Sequence, residues 1–183
     1  MTKEEAILKA EAIGALSSRE EKEALWDLSM KHIPEGGVAI EVGTWTGGSA
    51  VIIGEVCKQK NARLICIDGF SADMHGLGNG VHADPFNSVL INCQGLPIDY
   101  MAGDSVNFLK YLKPEIANFI FVDGDHHYPT VETDIKGYFN LLKKKGCYFM
   151  HDYLNPCDVK EVVDKFFTPK QLNKVDSSIF VIK

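Results

Sequence analysis

The segment Val38-Ala39-Ile40-Glu41-Val42-Gly43-Thr44-Trp45-Thr46-Gly47-Gly48 constrains the fold of this chain more than any other. A short apolar run carrying one acid leads into a glycine-marked turn, and a helix-like segment follows. A buried parallel strand hands over to a helix in this way beneath a bound cofactor. Gly43 lets the backbone turn sharply and approach a ligand closely, because it has no Cβ. A helix starting near Gly48 directs its free N–H groups at whatever sits there. Glycine turns after strands are common, so the reading depends on how the rest of the chain repeats the pattern.

Two helices are expected first. Thr2 and Glu5 have capping-box spacing, as do Ser18 and Glu21. Ile7, Leu8, Ala12 and Leu16, then Leu25, Leu28 and Ser29, follow helical spacing until Pro34 and Gly36-Gly37 stop it. From there strands and helices alternate. Strands are expected over residues 38–42, 63–67, 98–102, 119–122 and 147–150. Helices are expected over 49–58, 85–93, 105–112, 129–142 and 158–167. Two final strands, 172–175 and 178–182, flank Asp176-Ser177.

Such alternation implies a parallel sheet covered on both faces, with ligands at the carboxyl ends of its strands. Asp68, Asp104, Asp123 and His151-Asp152 all fall at such an end. Residues 71–84 break the rhythm. They hold His75, Gly76, Gly78, Gly80 and His82 with little apolar content, and read as a lid over the ligand side. The expected organisation is one domain over 35–183, with the two helices of 1–34 packed on it.

The 183 residues suffice for one sizeable core. The net charge of −6 and pI near 5.5 leave no basic face of the kind that nucleic-acid binders carry. Lys143-Lys144-Lys145 is the one basic cluster and reads as a solvated helix end. The five cysteines are an odd number without CxxC spacing, and Cys66 and Cys147 lie in apolar runs. Buried thiols in a reducing cytosol are therefore expected. The polar start Met1-Thr2-Lys3-Glu4-Glu5 does not read as a signal peptide, and no apolar run reaches membrane-spanning length. A cytoplasmic protein without nucleic-acid or membrane partners is the expectation.

The strand ends carry the chemistry. Asp68 follows Gly47 at about the distance that puts an acid on a ribose, although it could simply open a turn with Gly69. Asp104-Ser105 could meet an adenine, cap a helix, or do both. The run Asp123-Gly124-Asp125-His126-His127-Tyr128 places two acids, two histidines and a tyrosine at one strand end. Close carboxylates repel, so the cluster suits metal binding or proton transfer. His151-Asp152-Tyr153 ends the next strand and converges on it. Asp123, Asp125 and Asp152 could hold a hard divalent cation, and His126 or His151 could act as base. Asp125 could instead cap the following turn, and His127 reads as facing solvent.

From about Glu35 to Lys183 the order of these motifs resembles the class I S-adenosylmethionine-dependent methyltransferases. Glu41-Val42-Gly43-Thr44-Trp45-Thr46-Gly47 looks like their first motif, Asp68 like the ribose acid, and Gly103-Asp104-Ser105 like the adenine-contacting segment. Asp123-Gly124-Asp125-His126, Leu142-Lys143-Lys144-Lys145-Gly146 and His151-Asp152-Tyr153 resemble the small-molecule O-methyltransferase branch. The resemblance implies an α/β fold: a single-domain, Rossmann-like sandwich with a mostly parallel seven-stranded sheet and a C-terminal antiparallel hairpin. It implies that S-adenosyl-L-methionine is held by Glu41, Gly43, Thr44, Trp45, Gly47, Asp68, Gly69, Asp104, Ser105 and Asp123. His151, His126 and Asp123 are the implied catalytic residues. Asp123 and Asp152 are the implied ligands of a divalent cation such as Mg, should one be used. Trp45 stands where the family commonly has glycine, and His151-Asp152 where metal-dependent members have two adjacent acid or amide ligands.

The expected reaction is direct displacement, with an acceptor oxygen of a small molecule aligned on the sulfonium methyl. A homo-oligomer paired through the first two helices is also conceivable on this sequence. Two other classes compete. An NAD-dependent oxidoreductase shares the glycine turn and Asp68, but Trp45 fills a glycine position and the chain leaves little room for a substrate region. A non-catalytic nucleotide-binding module shares the fold, against which the clustered histidines and acids argue.

Overall fold

Short, largely apolar runs become most of the strands of one sheet in the computed structural model, which describes residues 1–70, 84–155 and 157–183. β1 (Val38–Val42), β2 (Arg63–Asp68), β3 (Ile98–Ala102), β4 (Ala117–Val122) and β5 (Leu142–Met150) pair in parallel. β6 (Asn173–Val175) and β7 (Ser178–Ile182) form an antiparallel hairpin, and β7 docks antiparallel on β5. Among the described residues the sheet has seven strands in the order β3-β2-β1-β4-β5-β7-β6. The order reverses between β1 and β4, and such a switch point opens a crevice at the carboxyl edge.

The helices are α1 (Lys3–Ile13), α2 (Arg19–His32), α3 (Gly48–Gln59), α4 (Pro85–Asn92), α5 (Ser105–Phe108), α6 (Thr130–Leu141) and α7 (Val159–Phe166). Successive strand residues point to opposite faces, and the sheet builds two cores from this alternation. Ala39, Leu64, Cys66, Phe119, Phe121 and Phe149 meet α1, α2 and α3 through Ala6, Leu25, Trp26 and Val51. Ile40, Val42, Ile120, Val122, Tyr148 and Met150 meet α6 and α7 through Val131, Ile135, Tyr138 and Val162. Both capping boxes form, with Glu5 and Glu21 each bonding back to the cap residue.

Some expectations are corrected. Lys143-Lys144-Lys145 does not end a helix. α6 stops at Leu141, and the lysines, of which Lys144 and Lys145 are exposed, lie in the first half of β5, which starts five residues before the expected 147. Leu142 pairs with Ala117 and is fully buried, so tertiary packing extends the strand through a polar stretch. Residues 105–112 split into α5 and a 3₁₀ turn, Leu109–Tyr111. Most of the expected lid over 71–84 lies outside the described residues. Cys57, Cys66, Cys93 and Cys147 are buried free thiols. No helix among the described residues is long and apolar enough to cross a membrane.

Candidate active site

The glycine turn is built by close approach. Gly43 has φ +85°, and a Cβ there would lie 1.9 Å from the Asp123 carbonyl oxygen. The ends of β1 and β4 are therefore pressed together as only glycine allows. Asp123 N–H donates to the Val42 carbonyl at 2.7 Å, and His151 N–H donates to the Val122 carbonyl at 3.0 Å. These bonds carry the sheet ladder one residue past each strand and set Asp123 and His151 on its rim.

Asp68 organises the turn. Its Oδ2 accepts the N–H groups of Thr44 at 2.6 Å and Trp45 at 2.7 Å, and its Oδ1 accepts that of Phe70 at 2.5 Å. Trp45 takes a left-handed conformation, φ 46°, which the two anchored N–H groups hold in place. Asp104 caps α5 through the Val106 N–H at 2.9 Å, and Asp125 accepts the His127 N–H at 3.0 Å.

A cleft of ≈ 950 Å³ opens at this edge, within the size range of cofactor and small-molecule sites. Gly43, Thr44, Trp45, Asp68, Gly69, Asp104, Ser105, Asp123, His126, His151 and Asp152 all line it. Glu41 and Gly47, expected beside them, are not part of its described wall. Glu41 shares the strand face of Ala39, turned toward α3, and is fully buried. Its register partner Cys66 donates to Glu41 Oε2 at 3.3 Å, and burial pushes the Glu41 carboxyl up to about 7. Gly47, φ +95°, caps α3 and packs on Val89 and Cys93 of the α4 region.

At the other end of the cleft two imidazoles face the same two carboxylate oxygens. His126 Nε2 lies 2.8 Å from Asp152 Oδ2 and 3.5 Å from Asp123 Oδ1. His151 Nδ1 lies 3.1 Å and 3.2 Å from those atoms, respectively. Close contact with the Asp123 and Asp152 carboxylates raises His126 to about 10. Burial opposes charge on His151, but the Asp123, Asp152 and Glu21 carboxylates outweigh it and hold this histidine far above its ordinary value. Asp123 and Asp152 are held low in turn, against their own burial. The neighbouring carboxylates thus favour the charged form of both imidazoles.

One residue of this cluster escaped the sequence reading. Glu21 Oε2 lies 3.4 Å from His151 Nε2. Its Oε1 accepts the hydroxyls of Ser177, at 2.7 Å, and Ser178. Its only sequence signal was the capping box with Ser18, which shows a helix start and says nothing of what else the carboxylate meets. Asp134 of α6 was likewise missed. It is 1% exposed, accepts the Ser105 hydroxyl on both oxygens, and is raised by burial to about 7.

The residues fit a divalent cation. One ligand atom each of Asp123, His126 and Asp152 fall within 4.8 Å of one another. The His126 Nε2 and both His151 nitrogens are buried without an aligned hydrogen bond.

A mostly parallel sheet with an acid-anchored glycine turn at its switch point, and acids along the neighbouring strand ends, defines an α/β protein of the nucleotide-cofactor-binding class. Residues 40–153 match the family model described as a methyltransferase domain. The chain belongs to this family, among the class I S-adenosylmethionine-dependent methyltransferases. An uncharacterised protein of Acanthamoeba polyphaga mimivirus is 26% identical over 121 residues, which is 62% of this chain and 50% of that one. The chain thus spans about half the length of this curated relative. The fold is shared with the S-adenosylhomocysteine-bound methyltransferase PaMTH1 of Podospora anserina, at TM-score 0.71, 14% identity, and coverage of 97% of this chain and 87% of that one. It is also shared with the O-methyltransferase TomG of Streptomyces achromogenes in complex with S-adenosylmethionine, at TM-score 0.69, 14% identity, and coverage of 98% and 90%.

Proposed function

We propose that the protein transfers the methyl group of S-adenosylmethionine to a hydroxyl oxygen of a small-molecule acceptor. The observation that carries this reading is the cleft itself. It joins the Asp68-anchored glycine turn at one end to the Asp123–His126–His151–Asp152 cluster at the other. On this reading Asp104 and Ser105 face the adenine, Asp68 and Gly69 the ribose, and Gly43, Thr44 and Trp45 the methionine part. Glu41 acts from below, as a buried carboxyl bonded to Cys66.

In-line positioning of donor and acceptor supplies most of the acceleration. The acceptor hydroxyl loses its proton during attack, and a base must be free to take it. His126 and His151 stand at the cluster end of the cleft as the candidate bases, and the surrounding carboxylates strengthen their hold on a proton. A divalent cation held by Asp123 and Asp152 would supply Lewis acidity that lowers the hydroxyl pKa. The polar wall from Ser17, Ser18, Asn155, Asp176 and Ser177 suits an acceptor rich in hydroxyl groups. A cytoplasmic, small-molecule enzyme without nucleic-acid or membrane partners accords with the acidic composition.

Calorimetry with S-adenosylhomocysteine and with NADH tests the reading. S-adenosylhomocysteine is expected to bind and to raise the melting temperature, and NADH to do neither. Binding of NADH alone would establish the oxidoreductase, and binding of neither the non-catalytic module.

A further inference from the structure

We infer that the cluster at the ends of β4 and β5 is an imidazole-bearing cation site that selects a first-row transition ion over Mg²⁺. The inference names the ion of the proposed methyl-transfer site, and rests on that reading for the ion's role in the reaction.

The donor set is mixed. Asp123 and Asp152 offer carboxylate oxygens, and His126 offers a ring nitrogen within 4.8 Å of both. His151 Nδ1 faces the same two oxygens at 3.2 Å and 3.1 Å as a fourth donor. Mg²⁺ demands oxygen ligands and keeps several waters. Imidazole suits first-row transition ions such as Ni²⁺, Cu²⁺ and Zn²⁺, and affinity at nitrogen-bearing sites rises from Mn²⁺ through Co²⁺ and Ni²⁺ to Cu²⁺.

A second observation points to a ligand. His151 is 9% exposed, and both its nitrogens are buried without an aligned hydrogen bond. The Nε2 of His126 is in the same condition. Each of these nitrogens has a carboxylate oxygen within 3.5 Å but out of hydrogen-bond alignment, and His126 Nε2 and His151 Nδ1 converge on one pair, Asp123 Oδ1 and Asp152 Oδ2, as ligands of a shared ion would.

The surroundings orient His151 as a ligand. Its Nε2 faces Glu21, whose other oxygen is held by Ser177 and Ser178. A carboxylate behind a histidine fixes the ring so that its other nitrogen meets the metal. The competing account is an ion-pair network complete in itself, which takes up no ion.

The test uses the metal-free full-length protein. Co²⁺ is titrated while visible absorption is followed, Mg²⁺ is titrated by calorimetry, and X-ray absorption is recorded on the Co²⁺ form. Stoichiometric Co²⁺ binding is expected, with imidazole scattering in the first shell and Mg²⁺ at least about 100-fold weaker. His126→Asn is expected to weaken Co²⁺ by about 10-fold or more and to change its spectrum. Absence of Co²⁺ binding, an all-oxygen shell, or Mg²⁺ as tight as Co²⁺ would overturn the inference. X-ray absorption on the unaltered protein decides even if the variant misfolds. S-adenosylhomocysteine binding without Co²⁺ binding sinks the ion and leaves the methyltransferase reading. Co²⁺ binding with NADH binding alone does the reverse.

Discussion

Gly43 shows how much a single residue position carries. Its missing side chain lets β1 and β4 close to a distance at which a Cβ would sit 1.9 Å from a carbonyl oxygen. Gly43→Ala adds both that overlap and a left-handed alanine, and is expected to cost at least about 3 kcal/mol. Urea denaturation measures this, and a loss under about 1 kcal/mol would show that the strand ends can part. Asp134 makes a different prediction. Its folded value near 7 lies above the ordinary 3.8, so its protonated form is the one the fold prefers. Stability from this carboxyl is complete below pH 4 and is lost as pH rises through 7, each tenfold change in proton affinity being worth about 1.4 kcal/mol. Asp134→Asn should remove that fall, and urea midpoints of both proteins from pH 5 to pH 8 should diverge. Parallel curves would place the proton elsewhere. Sequence reading found Asp68 and Asp123 because a strand end announces them. It missed Asp134 and Glu21 because helical periodicity does not reveal which buried acid meets a distant hydroxyl or imidazole.

Among the elements, α1 and α2 do more than cover the domain. Ile7, Leu25, Trp26 and Ile33 are at most 7% exposed, and most of them join the core beneath α3. Each such side chain contributes about 1.5–3 kcal/mol by burial, against a whole-domain stability of roughly 5–15 kcal/mol. A chain starting at Glu35 is therefore expected to lose its cooperative unfolding transition. Near-UV circular dichroism with a urea titration would detect this, and a sharp transition in the truncated chain would make the helices an addition to an independent unit. The strand and helix types were legible because both periodicities are strong through the core. The start of β5 was not, because three lysines mask a strand whose pairing to β4 is set by Leu142 and Cys147 at its apolar positions.

At the scale of the whole molecule, the topology was more legible than the site. Alternating elements with an acid at strand ends lead to a parallel sheet and a switch-point cleft, and β1–β5 follow that rule while β6 and β7 add an antiparallel hairpin. The site instead needs side chains brought from the α1–α2 connection, α2, the carboxyl ends of β1, β2, β4 and β5 and the β6–β7 turn, and their meeting is a property of packing that no local window contains. Glu21 binds Ser177 and Ser178 across more than 150 positions of sequence. During synthesis the first partner of that contact exists long before the other two leave the ribosome. A nascent chain can therefore hold a glycine turn and an Asp68 anchor while the wall behind His151 is still missing. Ser177 and Ser178 complete that wall last, so a chain that stops before them lacks the two hydroxyls that hold Glu21 behind His151.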